Sequence, residues 1–410
     1  MSFEWKRYSL SELVSFKYGK FLAKSKLSTT GYPVFSGYGI VGYLPHYQFE
    51  NPELIMVCRG EGGTGDVKMS PPQCSITNLS IIISPDEKKV SRKFLYWALK
   101  ANNTRLLRTG SAQSQIVISS LENYKISIPI DKAIQASIAG FLDRLEARIT
   151  LLRETNKTLE SIAQTIFKSW FVDFDPVRAK MDGRQPEGMD EETAALFPDG
   201  LENGLPKGWR SGNLSELSSL NPQSWTAKRH PASIEYIDLS NVKSNQIIAV
   251  MEIQYDNAPS RARRILSPGD TIIGTVRPGN RAFAYIFDAS ENLTGSTGFA
   301  VLRPLKKNNA EYIYLAATQD ASIDYLAHIA DGGAYPAVRP EVVASLPCVI
   351  TDDPVKQLFH ELAFPLFAKV SNNQRMIVYL EQLRDRVLPH LISGRLRISE
   401  EIGMAEAIEA

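Results

Sequence analysis

Residues 60–65 read GEGGTG and satisfy the G-x-G-x-x-G spacing through Gly60, Gly62 and Gly65. Glycines so placed let backbone approach a dinucleotide or S-adenosylmethionine, provided that a helix comes next and turns its N-terminus to the ligand. The next residues are DVKMSPPQC, with two prolines and no helical period, so a glycine hairpin turn is expected. PDEKK at 85–89 has the letters of a nuclease motif, but its Asp86 and Glu87 are adjacent. Such motifs hold metal with carboxylates from separate strands, so a polar turn is expected there. His46, His230 and His328 show no ligand spacing. Cys58, Cys74 and Cys348 are too few and too scattered for a disulfide framework or zinc site. The chain has no Walker loop, no G-x-S-x-G and no Asn/Asp-Pro-Pro-aromatic tetrapeptide. The expectation is a chain without catalytic centre, metal or cofactor of its own.

Charge is distributed unevenly along the 410 residues. Residues 1–130 carry 16 Lys/Arg against 9 Asp/Glu, whereas residues 131–208 carry 10 against 14. Residues 209–350 balance at 13 each, and 351–410 carry 7 against 9. The first segment suits a polyanion. Hydrophobic content of 43% with 22% charged residues is globular, and the length suggests two or three domains. The N-terminus, MSFEWKRYSL, lacks an apolar leader region and no run reaches the ~18 apolar residues of a membrane span. A cytoplasmic protein is expected.

These residues must be positioned by elements that occur twice. WKRYSLSEL at 5–13 matches WRSGNLSEL at 209–217 at one offset of 204, pairing Trp5, Leu10, Ser11, Glu12 and Leu13 with Trp209, Leu214, Ser215, Glu216 and Leu217. At the far end of each half lies a heptad pattern. In residues 131–171, Ile138, Leu145, Leu152, Leu159 and Ile166 occupy position a, and Leu142, Ile149, Asn156, Ala163 and Trp170 position d. Adding 221 gives Phe359, Leu366, Asn373, Leu380 and Val387 at a, and Ala363, Val370, Ile377, Arg384 and Leu391 at d. Asp353-Pro354 starts this second helix. Pro365 and Pro389 are expected to kink or end it, and Arg384 interrupts its seam. Asn156 and Asn373 are expected to pin register.

Between these ends, short apolar runs alternate with Gly/Pro/Asn turns, as in ELIMVCRG, SIIISP, DTIIGTVRPG and GFAVLRP. Val57-Cys58-Arg59-Gly60 resembles Thr275-Val276-Arg277-Pro278-Gly279 as a strand that ends in Arg and a turn. The pattern predicts α+β lobes with twisted, partly antiparallel sheets. The expected layout is a first lobe over 1–130, a long helix over 131–175 and a linker over 176–208. A second lobe then spans 209–350, a second long helix 351–399 and a tail 400–410.

With repeat and helices in hand, the chain resembles the specificity subunit of type I restriction-modification enzymes. The resemblance is carried by SWFVDFDPVRAKMDGRQPEGMDEETAALFPDGLE, the LPKGW that precedes the second half, and RTGSAQSQI. It implies two target-recognition domains separated by two long helices paired as an antiparallel coiled coil. It implies a non-catalytic, sequence-specific DNA-binding subunit that docks methyltransferase and motor-nuclease subunits, on which S-adenosylmethionine, ATP and Mg²⁺ are expected. A helix of about 38 residues rises about 57 Å at ~1.5 Å per residue, more than the ~34 Å of one DNA turn. The helices would therefore set the gap between two half-sites of an asymmetric target.

Arginine favours guanine and Asn/Gln adenine, while Lys and backbone N–H groups hold phosphate. Lys17, Lys20, Lys24 and Lys26 are the phosphate candidates in the first lobe. Arg59, Asn78, Arg105, Arg108, Gln113 and Gln115 are candidates for bases or nearby backbone, and Tyr38, between Gly37 and Gly39, for an exposed aromatic contact. The second lobe offers Gln223, Lys228, Arg229, Arg261, Arg263, Arg264, Arg277, Arg281, Thr297 and Tyr335. Each competes with the plainer role of a solvated surface group. Two rival functions stay open: a coiled-coil adaptor whose lobes bind protein or other ligands, and an enzyme with degenerate motifs. Salt-sensitive duplex binding separates the first from a DNA reader, and activity of the chain alone would favour the second.

Overall fold

The computed structural model describes residues 4–60, 62–109, 114–330 and 336–398. It divides into two compact units, residues 1–151 with 377–410, and residues 152–376. Both are mixed helix and sheet, and two 40-residue helices, Lys132–Phe171 and Asp353–Ile392, each contribute to both.

In the first unit β1 (Trp5–Ser9) leads through a 3₁₀ turn to β2 (Val14–Tyr18). Then come β3 (Tyr32–Phe35), β4 (Ile40–Leu44), β5 (Leu54–Val57), β6 (Val67–Met69), β7 (Ser75–Ile76) and β8 (Ser80–Pro85). β9 (Lys125–Pro129) returns to pair with β1. An antiparallel sheet runs β2-β8-β5-β6, and a second runs β4-β3-β7 with β3 and β7 parallel. Every residue of β5 is buried, because Leu54 and Met56 face one core while Ile55 faces another with Cys74, Ile76 and Ile82. Burial on both faces explains why LIMV is a continuous apolar run rather than an alternating one.

The second unit opens with a β10–β11 hairpin (Leu201–Glu202, Leu205–Pro206), then β12 (Arg210–Asn213) and β13 (Ser218–Leu220). Next come β14 (Ser233–Ile237), a β15–β16 hairpin (Val242–Lys243, Gln246–Ile247), β17 (Met251–Gln254), β18 (Ala262–Ile265) and β19 (Thr271–Gly274). β20 (Phe283–Tyr285), β21 (Leu293–Ser296), β22 (Phe299–Pro304) and β23 (Pro347–Ile350) complete the set. Here one sheet runs β13-β22-β19-β20, a second β17-β14-β21-β18 with β14 and β21 parallel, and β12 pairs with β23. The strand order of each sheet therefore echoes that of the first unit.

The recurrent LSEL sits at the same joint in each. Leu10 and Leu214 are fully buried and donate backbone N–H to Tyr124 and Leu346. The carboxylates of Glu12 and Glu216 accept from the N–H of Ser9 and Asn213 (2.7 and 3.1 Å). Each position thus has a packing or capping task, which accounts for the shared spelling.

Within each unit the two long helices lie side by side and run in opposite senses. In the first, Ile138, Ala139 and Leu142 share a core with Leu388, Leu391 and Ile392, and Arg384 meets Glu146 at 2.6 Å. The arginine that interrupts the seam pattern is therefore paired across it. In the second, Asn373 Nδ2 donates to Asn156 Oδ1 (2.7 Å), whose own amide reaches the Val370 carbonyl. Beyond them Ala163 and Phe167 join Phe359, Ala363 and Phe367 in one core; Phe167 is buried more fully than its neighbour Ile166, the expected seam residue. Neither proline ends the second helix. Pro365 and Pro389 lie on its exposed side, where water can satisfy the carbonyl that loses its N–H partner. The stop comes at Gly394, whose φ of +72° suits glycine and whose Cβ position lies 2.4 Å from Trp5 Nε1.

Residues 172–208 are packed rather than loose. Phe174, Val177 and Phe197 enter the second core beside Trp170 and Trp209, and Trp170 meets Phe197 edge-on at 5.0 Å. Among the described residues no helix is long and apolar enough to cross a membrane.

Candidate nucleic-acid interface

The central strands of the two four-stranded sheets end in matching frames. After β5, Cys58 donates its N–H to the Leu79 carbonyl (2.8 Å) and accepts from Ile116 N–H (2.9 Å). After β19, Thr275 donates to the Gly298 carbonyl (2.8 Å) and accepts from Val338 N–H (2.9 Å). One residue further, Arg59 bridges to Gln115 and Val276 to Ala337. Each frame thus joins a strand end, the turn before the next strand and the loop after the lobe's helices. Asn78 and Thr297 precede the accepting carbonyls, so they too are equivalent.

This lattice corrects the register read from sequence, which set Arg59 against Arg277. Arg59 stands opposite Val276, and Arg277 opposite Gly60. Both members of the latter pair have positive φ, +112° for Gly60 and +46° for Arg277. A left-handed arginine costs about 1 kcal/mol that glycine avoids.

In the first lobe the frame gathers Lys20, Tyr38, Arg59, Asn78 and Gln115. Lys20 N–H donates to the Ile76 carbonyl while its own carbonyl accepts from Asn78 N–H. The Arg59 guanidinium lies 5.9 Å above the Tyr18 ring, and Tyr38 Oη donates to the Arg59 carbonyl (3.0 Å). The Tyr38 ring covers the GEGGTG turn so closely that a Cβ on Gly60 would lie 2.5 Å from its hydroxyl. Gly60 and residues 62–65 lie between the antiparallel strands β5 and β6, with no helix after them. Lys17, Lys20, Lys24 and Lys26 are exposed, and none has an acidic partner among the described residues. Arg105 and Arg108 are exposed but have protein partners: Arg105 pairs with Asp66 at 2.8 Å, and Arg108 Nε donates to the Thr64 carbonyl at 2.7 Å. Gln113 lies outside the described residues.

The second lobe holds its cations more firmly. Arg261 meets Asp238 at 2.8 Å and donates to Tyr236 Oη, while its carbonyl accepts from Thr297 N–H (2.7 Å). Burial would raise Asp238, but the Ser240 N–H, Tyr236 and Arg261 outweigh it and hold the carboxyl far below its usual range. Arg281 pairs with Asp320 at 2.6 Å. Arg263 lies 4.8 Å above Tyr255, on which His230 also stacks at 3.7 Å. Arg264 bridges to Ser224, and burial pulls its guanidinium pKa down. Gln223 accepts from Arg303 (3.0 Å). Lys228, Arg229 and Arg277 are exposed; Tyr335 lies outside the described residues.

Sequence reasoning missed Tyr18, the platform for Arg59, and Asp238 and Arg303, which fix their neighbours. Asp238 is 23 residues from Arg261, and nothing in the spelling of either segment announces the pair. What the frames offer is an array of amide, guanidinium and aromatic faces suited to recognition. Among the described residues no cluster of His, Cys, Asp and Glu could hold a metal ion.

Comparison with known proteins agrees with this geometry. Residues 3–161 match the family model described as the type I restriction modification DNA specificity domain. The chain is 24% identical over 371 residues to the type I restriction enzyme HindI specificity subunit of Haemophilus influenzae, covering 77% of this chain and 80% of that one. It is 24% identical over 326 residues to the MjaIX specificity subunit of Methanocaldococcus jannaschii, covering 78% and 72%. The crystal structure of the type I restriction-modification S subunit from M. genitalium superposes with a TM-score of 0.60 at 15% identity, over 95% of this chain and 96% of that one. The match to the type I restriction modification DNA specificity domain thus covers residues 3–161, and over most of its length the chain is similar to proteins named as type I specificity subunits.

Proposed function

We propose that this chain is the sequence-specific DNA-binding subunit of a type I restriction-modification complex, reading a bipartite, asymmetric duplex target with one lobe on each half. One observation carries this: the same backbone frame occurs in both lobes with different side chains on it. Arg59, Asn78 and Gln115 occupy in one the positions that Val276, Thr297 and Ala337 occupy in the other. Equal frames with unequal readers are what an asymmetric target requires.

The lobes are one fold written twice, over about residues 1–130 and 209–350, and the long helices are an antiparallel coiled coil that spaces them. Supporting the coiled coil are the Asn156–Asn373 and Glu146–Arg384 pairs, since polar groups at seam positions fix register. The chain directs chemistry that methyltransferase and motor-nuclease subunits perform; S-adenosylmethionine, ATP and Mg²⁺ belong to those partners, in the cytoplasm. Its relatives are named as specificity subunits, not as nucleases or methyltransferases.

The test is competition binding. Duplexes that the full-length chain enriches from a random pool, and scrambled versions of them, are compared at two salt concentrations. Preference for the enriched duplexes, with affinity falling steeply as salt rises, is expected. Equal binding of both, or no salt dependence, would favour an adaptor with other ligands.

A further inference from the structure

Phe21 is the feature that the recognition frame leaves unexplained. Its ring is 77% exposed, among the most solvent-exposed large apolar side chains of the described chain. The backbone beneath it is fixed: Gly19 N–H donates to the Ser80 carbonyl, and Lys20 is held on both sides by Ile76 and Asn78. A Cβ on Gly19 would lie 2.1 Å from the Thr77 carbonyl. On the other side a 3₁₀ turn, Lys24–Lys26, closes on Ala23 and leads into Leu27, packed on Gly42. An apolar ring is therefore displayed on a pinned loop.

The 204-residue offset that relates the two LSEL segments also relates Phe21 to Trp225. Trp225 is tucked in. Its Nε1 donates to Thr294 Oγ1 (2.8 Å), its N–H to the Arg263 carbonyl, and its ring packs on the Ile234–Tyr236–Tyr255 cluster. At one sequence offset, then, an aromatic is sheltered in one lobe and bare in the other, where the backbone takes different partners: Lys20 pairs with Thr77 and Ser224 with Arg264. Around the bare one stand Lys17, Lys20, Lys24 and Lys26, and residues 13–49 contain no Asp or Glu. Lysines without acids suit a polyanion, and Lys20 ties the loop to Asn78 of the frame.

Resting on the proposed function above, we infer that Phe21 is a wedge residue for duplex DNA. The lysines hold phosphates on either side, and the ring stacks on an opened base step next to the first half-site. Inserted apolar side chains of this kind unstack a step and bend the duplex, and aromatic faces accept any base.

The experiment uses the full-length chain with duplexes that it enriches from a random pool, carrying 2-aminopurine at successive positions. The wild-type chain should brighten 2-aminopurine at one step beside the first half-site. Phe21→Ala should abolish that signal, weaken binding about tenfold and leave the salt slope and melting temperature unchanged, because no charge or buried contact is lost. Phe21→Trp should restore both signal and affinity. Unchanged affinity for Phe21→Ala, with lysine variants still weakened, overturns the wedge and leaves DNA reading intact. Loss of a co-purifying protein partner with unchanged DNA affinity overturns it in favour of a protein contact. Failure of the wild-type chain to enrich any duplex overturns both.

Discussion

At the end of β5 the first lobe presents Arg59 on a glycine-turned, tyrosine-covered corner, and β2 with the loop after it carries four lysines that have no acidic partner among the described residues. At the end of β19 the second lobe presents Val276 and a left-handed Arg277, and ties Arg261, Arg281 and Arg303 to Asp238, Asp320 and Asp270. The backbone hydrogen bonds that frame Cys58 and Thr275 agree to 0.1 Å, so similar frames carry these different side chains. The first lobe is armed with point charges on flexible stems, which attract any phosphate backbone. The second is armed with oriented guanidinium planes, which suit fixed, directional bonding. One scaffold can thus divide capture and reading unequally between its halves.

The sharpest way to break this contrast is to remove the lysines. Replacing Lys17, Lys20, Lys24 and Lys26 together by alanine should weaken binding to every duplex and lower the salt slope by roughly 4, measured by titration at several salt concentrations. The equivalent change at Lys228 should lower it by about 1.

A second test concerns the half-buried acid where the second lobe meets the first long helix. Glu160 accepts from Asn245 Nδ2 (2.9 Å), and Asn245 also accepts at its carbonyl from Gln374. Burial, opposed by the Asn245 bond, pushes the Glu160 carboxyl up to about 7 from 4.5. The native chain then holds this proton more tightly than the unfolded one. The stabilisation is full below about pH 4.5 and is lost as pH rises through 7, by roughly 3 kcal/mol at most. Glu160→Gln should flatten that slope in melting experiments, raising stability at pH 8 and leaving DNA preference unchanged.

Smaller effects separate reading from capture. Arg59→Ala should cost ~1–3 kcal/mol for the preferred duplex and little for scrambled ones, with altered preference confined to one half-site. Arg277→Ala should do the same at the other half-site. Smallest is Arg277→Gly, which relieves about 1 kcal/mol of left-handed strain. Its melting temperature should rise slightly while its half-site preference falls as in Arg277→Ala.

Much of this was legible in the sequence because it rests on local spelling. Heptad spacing marks the two long helices, and the LSEL joint recurs because its two leucines are buried and its glutamate caps. What escaped depends on partners distant along the chain. The one-residue shift between Arg59 and Arg277 is set by ladder bonds to residues 79 and 298, and similar strand-end lettering concealed it. Engagement of Arg105 by Asp66, or of Arg281 by Asp320, spans 39 residues. Pro365 looks disruptive in a pattern of letters but harmless on a helix face that meets water.

The most direct test is to sequence the duplexes that the full-length chain retains from a random pool. Two short invariant blocks, unlike each other and separated by a constant number of unspecified base pairs, are expected. A single block, two blocks with a varying gap, or no enrichment would contradict two unequal reading lobes on one fixed spacer.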